Sequence, residues 1–254
     1  MPQADFSLKG KVAIVTGASR GIGKAIATGF VEQGAKVIIA ARKQETLDEA
    51  AAELKAKGGE VLAVACHTGQ MAQIEALYKK VDEVYGRVDI LVNNAATNPY
   101  FGDVLGMGES MFDKTCEVNI KGYFFMAQLA AKRMVQQGKG VIINVASVAG
   151  ISPPPMQAVY GMSKAAVIVM TKAFAKELGA RGVRTNAICP GLTETKFSKV
   201  LIETPMIYQV ALTSIPLKRH AQPSEMVGAV IYLASDASSF TNGAIITVDG
   251  GVMT

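Results

Sequence analysis

Lys11-Val-Ala-Ile-Val-Thr16-Gly17-Ala-Ser19-Arg20-Gly21-Ile22-Gly23 is the stretch on which the fold turns. Its apolar run is too short for a helix and shows no alternation, so it reads as a strand covered on both faces. Glycines follow at once, spaced Gly17-x-x-x-Gly21-x-Gly23, and a helical pattern begins at residue 22. Glycines let a backbone turn tightly and approach a phosphate, whose charge then faces the next helix's N-terminus. A glycine loop alone is a weak signal. Between an apolar strand and a helix it gains force, and Gly17, Ser19, Arg20, Gly21, Ile22 and Gly23 become candidate pyrophosphate contacts.

The same alternation runs outward along the chain. Strands are read at Lys36-Val-Ile-Ile-Ala-Ala, Val61-Leu-Ala-Val-Ala, Asp89-Ile-Leu-Val-Asn-Asn, Gly140-Val-Ile-Ile-Asn-Val-Ala-Ser, Val183-Arg-Thr-Asn-Ala-Ile-Cys and Ala244-Ile-Ile-Thr-Val. Helical patterns fall at 22–33, 43–57, 70–85, 108–137 (one helix or two), 157–180 and 222–235. Strand–helix alternation predicts an α/β fold: a doubly wound (Rossmann) parallel sheet of about seven strands with helices on both faces. No repeat or linker divides the chain, so residues 1–254 read as a single domain. The segment 190–216 departs from the pattern. A long insertion after a strand's carboxyl end is where substrate lids lie.

Half of the residues are apolar and 19% are charged, which excludes a disordered chain and allows a large core. The first eleven residues lack the apolar core of a secretory signal, and no stretch approaches 18 consecutive apolar residues. Cys66, Cys116 and Cys189 are odd in number and lack metal spacing, as do His67 and His220. The expectation is reduced thiols in a cytoplasmic protein, with no metal and no membrane partner. The net charge of +5 is dispersed and not interleaved with aromatics, so nucleic acid is not the expected partner. A mild attraction for an anionic cofactor or substrate explains it better.

Ser147, Tyr160 and Lys164 supply the chemistry, at spacings of 13 and 4. Residues i and i+4 share a helix face, and of seven tyrosines only Tyr160 has a lysine four residues on. A phenol exchanges protons poorly near neutral pH unless a cation lowers its pKa. Lys164 is the expected cation, and the Ser147 hydroxyl could hold the reacting oxygen. Downstream of a phosphate cradle, this set points to a nicotinamide-dependent exchange between a carbonyl and an alcohol.

The end of the second strand bears on the cofactor. An Asp or Glu there would accept the ribose hydroxyls of NAD. Here the place holds Ala41, followed by Arg42 and Lys43, with Arg20 in the glycine loop. A guanidinium binds a 2′-phosphate with two hydrogen bonds where a carboxylate would repel it. NADP(H) is therefore the expected cofactor, with NAD(H) the alternative.

Together these residues resemble the short-chain dehydrogenase/reductase family over nearly the whole chain, Lys11 to Gly251. The resemblance assigns Asn119, Ser147, Tyr160 and Lys164 as catalytic, with Asn119 kinking a helix and helping to hold a proton-relay water. It places Asn93 and Ala95, in Asn93-Asn94-Ala95, beside the adenosine half of the cofactor, and Pro190, Gly191, Thr193 and Thr195 at the nicotinamide end. Asp249-Gly250-Gly251 matches the family's terminal motif. Where the family has Asp after the third strand, this chain reads Cys66-His67-Thr68. The adenine contact could then pass to the His67 ring or to Thr68's backbone N–H, or His67 could be an exposed loop residue.

Asn94-Ala-Ala-Thr-Asn98-Pro99-Tyr100 resembles NADP-using carbonyl reductases more than 3-oxoacyl thioester reductases, which remain the alternative, with Lys132, Arg133 and Arg181 able to dock an acidic carrier. A non-catalytic NADP-sensing protein would not need Ser147, Tyr160 and Lys164 together. Met156, Gln157, Leu192 and Met206 are candidate pocket linings. Residues 123–135 and 165–175 are apolar around most of their circumference, so a homotetramer or homodimer is expected.

Overall fold

The computed structural model describes residues 4–254, Val200 by its backbone alone. The first half alternates strictly: β1 (Val12–Thr16), α1 (Gly21–Glu32), β2 (Lys36–Ala41), α2 (Gln44–Ala56), β3 (Val61–Ala65), α3 (Met71–Tyr85) and β4 (Ile90–Asn93). Then α4 (Glu109–Cys116) runs through a π-helical turn (Glu117–Gly122) directly into α5 (Tyr123–Gln137) and on to β5 (Gly140–Val145). The remainder is α6 (Ala158–Leu178), β6 (Val183–Pro190), α7 (Lys199–Glu203), α8 (Pro205–Ser214), α9 (Val227–Ala234) and β7 (Ile245–Val248).

All seven strands pair in parallel, in the order β3-β2-β1-β4-β5-β6-β7. The chain moves outward from β1 to β3, then returns to β1's other side with β4. A crevice therefore opens beyond the carboxyl ends of β1 and β4, the place where such sheets bind ligands.

Alternate side chains of a strand point to opposite faces. Ala13 and Val15 of β1 join a core with Ile26 and Phe30 of α1, Leu47 and Leu54 of α2, and Val230 and Leu233 of α9. Val12 and Ile14 join the opposite core with Ile74, Leu77 and Val81 of α3 and Met126, Ala130 and Met134 of α5. Each fully buried Val, Leu, Ile, Phe or Met among them stabilises the fold by about 1.5–3 kcal/mol. Two cores explain why β1 is apolar on both faces.

The helices begin and end within two residues of the sequence reading, with three differences, the first that the 222–235 pattern opens as a 3-10 turn (Pro223–Met226) before α9 begins at Val227. The 108–137 pattern is a run of two α-helices joined by a π turn. The 190–216 segment holds two short helices, α7 and α8. Ala158–Arg181 is long and apolar enough to cross a bilayer. However, its Val167 and Met170 pack with Ala187 and Cys189 of the sheet, and it carries Tyr160 and the buried Lys164.

Candidate active site

Short backbone approaches build the glycine loop. Gly17 has φ +66, and a Cβ there would stand 2.8 Å from Asn94 Nδ2 and 2.9 Å from Ala95 Cα. At Gly23 a Cβ would lie 2.5 Å from both Asn94 Nδ2 and the Gly17 carbonyl oxygen. Both positions thus require glycine. Asn94 Nδ2 donates to the carbonyls of Thr16 (2.8 Å) and Gly17 (3.3 Å), and Thr16 Oγ1 accepts from the N–H groups of Asn94 and Ala95. The carboxyl ends of β1 and β4 are thereby stitched into one floor. Ser19, Gly21 and Ile22 are half-buried on it, and exposed Arg20 stands at the start of α1.

Arg42 follows the last residue of β2 and is exposed. Among the described residues, neither its guanidinium nor that of Arg20 has a hydrogen-bond or ion-pair partner. Two unpaired cations beside a glycine cradle that a Cβ would fill fit a phosphorylated dinucleotide. His67 is not a free loop histidine. Its Nδ1 accepts from the Gly69 N–H at 3.0 Å, and its Nε2 lies 2.9 Å from Lys114 Nζ. Burial, then Lys114, hold its pKa below the ordinary value, with a smaller push from Arg42. Thr68 is buried beside the π turn, its carbonyl 2.6 Å from where a Cβ of Gly122 would stand.

Asn119 is fully buried in the π turn. Its Oδ1 accepts from the Thr97 N–H (2.8 Å), and its Nδ2 donates to the Thr97 carbonyl (2.9 Å) and Ser163 Oγ (3.0 Å). The side chain thus clamps the loop after β4 onto α6. Asn93 turns its side chain inward, donating to the Tyr123 carbonyl and Asn144 Oδ1 at 3.1 Å each. Only the backbone of Asn93 is left for the crevice.

Ser147 follows β5, where its Oγ accepts from the Ala149 N–H at 3.1 Å. The Ser147 hydroxyl also acts on the Tyr160 phenol, drawing that group's pKa down. Burial outweighs this effect and pushes Tyr160 up to about 12. Lys164, 1% exposed, is brought down to about 7, again by burial. The expectation that Lys164 lowers the Tyr160 pKa is not met in this structure. The ammonium lies 5.8 Å from the Tyr160 ring centroid, while its hydrogen bonds go to the Val145 carbonyl (2.8 Å) and the Tyr123 hydroxyl (3.2 Å).

The segment after β6 closes the crevice. Gly191 donates to the Val248 carbonyl, and Pro190 is paired with Val248 in the sheet. Buried Thr193 bonds the Gly191 carbonyl, and Thr195 lies over the glycine loop, its Cγ2 3.3 Å from a Cβ at Gly21. Two residues on, the Phe197 ring sits 5.3 Å from that of Tyr160. Met156, at φ +68, accepts from the Gly102 N–H, which ties the 97–106 loop to the start of α6. Gln157 and Leu192 are half-buried, but Met206 is 80% exposed on α8.

Ser147, Tyr160, Lys164, the glycine loop and Thr195 thus converge on one crevice, with Asn119 behind it and Asn93 turned away. Sequence reasoning missed Tyr123 and Phe197. Tyr123 follows Asn119 by four residues, the same helical spacing that marks Tyr160 and Lys164; Phe197 is an aromatic in an otherwise polar turn.

A glycine cradle feeding a phenol–ammonium pair defines a nicotinamide-dependent oxidoreductase of the carbonyl/alcohol couple. A family model described as enoyl-(acyl carrier protein) reductase matches residues 17–253. The chain is 38% identical to Bos taurus dehydrogenase/reductase SDR family member 4, over 96% of this chain and 88% of that one. It is 41% identical to the Thermotoga maritima 3-oxoacyl-[acyl-carrier-protein] reductase FabG, over 97% and 99% of the two chains. A gluconate 5-dehydrogenase from Burkholderia cenocepacia, solved with NADP and tartrate, superposes with a TM-score of 0.94 at 32% identity, covering 98% of this chain and 97% of that one. The chain belongs to the short-chain dehydrogenase/reductase family.

Proposed function

We propose that this enzyme uses NADP(H) to interconvert a small apolar ketone or aldehyde with its alcohol, as a cytoplasmic homotetramer or homodimer. The observation that carries the reading is the buried Tyr160 phenol, which feels the Ser147 hydroxyl and has the Phe197 ring 5.3 Å from its own. Two hydroxyls on one spot can both hold a carbonyl oxygen. When bound, the nicotinamide supplies hydride to the carbonyl carbon or accepts it from the alcohol. Tyr160 gives or takes the proton at its phenol oxygen, and burial keeps it protonated, as a donor must be. Lys164 holds the nicotinamide ribose. Asn119 keeps the loop after β4 against α6 and serves proton resupply. The glycine loop, Arg20 and Arg42 hold the phosphates, and Thr193 and Thr195 the nicotinamide end.

The surroundings favour an apolar substrate over a sugar acid. Phe101, Met156 and Phe197 are all partly exposed around Tyr160 and the loops tied to it, and segment 190–216 acts as a lid. The FabG likeness supports a second reading, a 3-oxoacyl thioester reductase, for which the same residues would serve. Arg133 does not help that reading, since its guanidinium is paired with Asp82. A screen of ketones, aldehydes, gluconate-type acids and 3-oxoacyl thioesters, followed at the nicotinamide absorbance, separates these outcomes. Tyr160→Phe should keep NADPH binding and lose about 10²–10⁴-fold in turnover; near-normal turnover would remove Tyr160 from its role.

A further inference from the structure

We infer that Tyr123 is a positioning residue for Lys164, and that its hydroxyl sets the pH range over which the site grips its nicotinamide cofactor. The inference rests on Lys164 holding that cofactor, as proposed above. Tyr123 opens α5, is 2% exposed, and donates its own O–H to the Val145 carbonyl at 3.0 Å. Its proton is thus committed, and the side of its oxygen facing Lys164 Nζ at 3.2 Å is a lone pair. The ammonium also lies 4.9 Å from the Tyr123 ring centroid, within reach of the ring's negative face. The Val145 carbonyl accepts from both groups, so the three form a closed knot between α5, α6 and β5.

This knot matters because nothing else fixes the charge. Lys164 faces Tyr160 on its own helix, Tyr123 on α5, the Val145 carbonyl on β5 and Cys189 on β6. Burial pushes Cys189 up to about 11, Tyr160 to about 12 and Tyr123 well above the ordinary phenol value, so all three stay uncharged near neutrality. No carboxylate contributes to Lys164. Hydrogen bonds from an ionised donor are roughly twice as strong as neutral ones. The Tyr123 lone pair therefore favours the ammonium over the amine and opposes the burial that brings Lys164 down to about 7.

The test is the affinity of the apoprotein for NADPH, followed by nicotinamide fluorescence from about pH 6 to pH 9. In the wild type, affinity should fall as pH rises and Lys164 loses its proton. Tyr123→Phe keeps the ring and removes the lone pair, so the fall should move about one pH unit lower, with affinity at the acid end unchanged. An even loss of affinity at every pH, as a purely structural role gives, would overturn the inference, as would an unmoved profile. If Tyr123→Phe fails to fold, 3-fluorotyrosine at position 123 keeps shape and weakens the acceptor. A smaller shift in the same direction supports the inference; no shift overturns it. A protein that shows the shift but reduces no carbonyl keeps this inference and loses the proposed reaction. Turnover of a carbonyl with an unmoved binding profile does the reverse.

Discussion

Lys164 carries an ammonium into the interior, and Tyr160 carries a phenol there one turn earlier. Desolvation penalises the charged form of each, so it acts in opposite directions: the amine is brought down to about 7 and the phenol pushed up to about 12. Reading the pair from sequence supplies the attraction of cation for phenolate but not the cost of bringing both out of water. That cost has a consequence for stability. Burial brings folded Lys164 from an unfolded value of about 10.4 down to about 7. Below pH 7 both states hold the proton and the penalty is complete. Between pH 7 and the unfolded value the unfolded chain binds more protons, so stability rises with pH. Cys66 and Cys189, raised to about 11, work the other way once unfolded thiols ionise, above about pH 8.5. The cofactor-free protein should therefore gain about 1–2 kcal/mol between pH 7 and 8.5. Thermal melts at both pH values read this, and Lys164→Met should abolish the gain. A wild type with a flat Tm over that range would show that Lys164 is better solvated than its burial implies.

Elements decide which cofactor the crevice accepts. The Gly17 N–H donates to the Ala40 carbonyl at 2.7 Å, so the end of β2 lies directly beside the glycine loop. Arg42 and Arg20, one from each, stand exposed there. Hydrogen bonds to charged groups contribute about 1.5–3 kcal/mol each, so the pair should favour NADP over NAD by about 10²-fold or more. Ala41→Asp with Arg42→Leu should reverse the ratio of kcat/KM for the two cofactors, because a carboxylate accepts ribose hydroxyls and repels the phosphate. A wild type that already prefers NAD would make Arg42 an ordinary surface residue. This part was legible in the sequence because strand ends are: β1 and β2 are apolar on both faces and stop at glycine and arginine. The crossing of elements was not legible. The resemblance puts a helix kink at Asn119, but nothing in Glu117–Gly122 gives its form, a π turn whose extra residue per turn rotates every side chain after it. Tyr123 meets Lys164 only because α5 begins behind β5, a contact 41 residues apart in the chain. Asn93 shows the same limit. Its motif marks the crevice, yet only the tertiary structure shows the side chain spent on Asn144 and α5.

For the whole molecule the open question is what covers α5 and α6. Phe124 is 39% exposed, and its ring meets Phe125 and Phe174 edge-on at 5.3 and 5.5 Å, which joins the two helices into one aromatic face. Met162 (59%) and Val169 (66%) are exposed on α6. An open cavity of about 510 Å³ beside Phe124 is lined by Cys116, Ile120 and Phe125, with Asp113, Glu117 and Lys121 at its polar side. Monomers rarely leave a contiguous apolar face of this kind in water. A second copy related by a two-fold axis would present the same face to it, as closed symmetry requires. A tetramer needs a second such axis. Light scattering at micromolar concentration should give a multiple of the 26.7 kDa chain. Phe124→Glu with Val169→Glu places charge on the first face alone, since neither side chain takes part in the buried cores. It should reduce a tetramer to a dimer held by the second axis, or a dimer to a monomer, while Tyr160 and Lys164 stay in place. A wild-type mass equal to one chain would mean that this face remains in water, and the proposed assembly would be wrong.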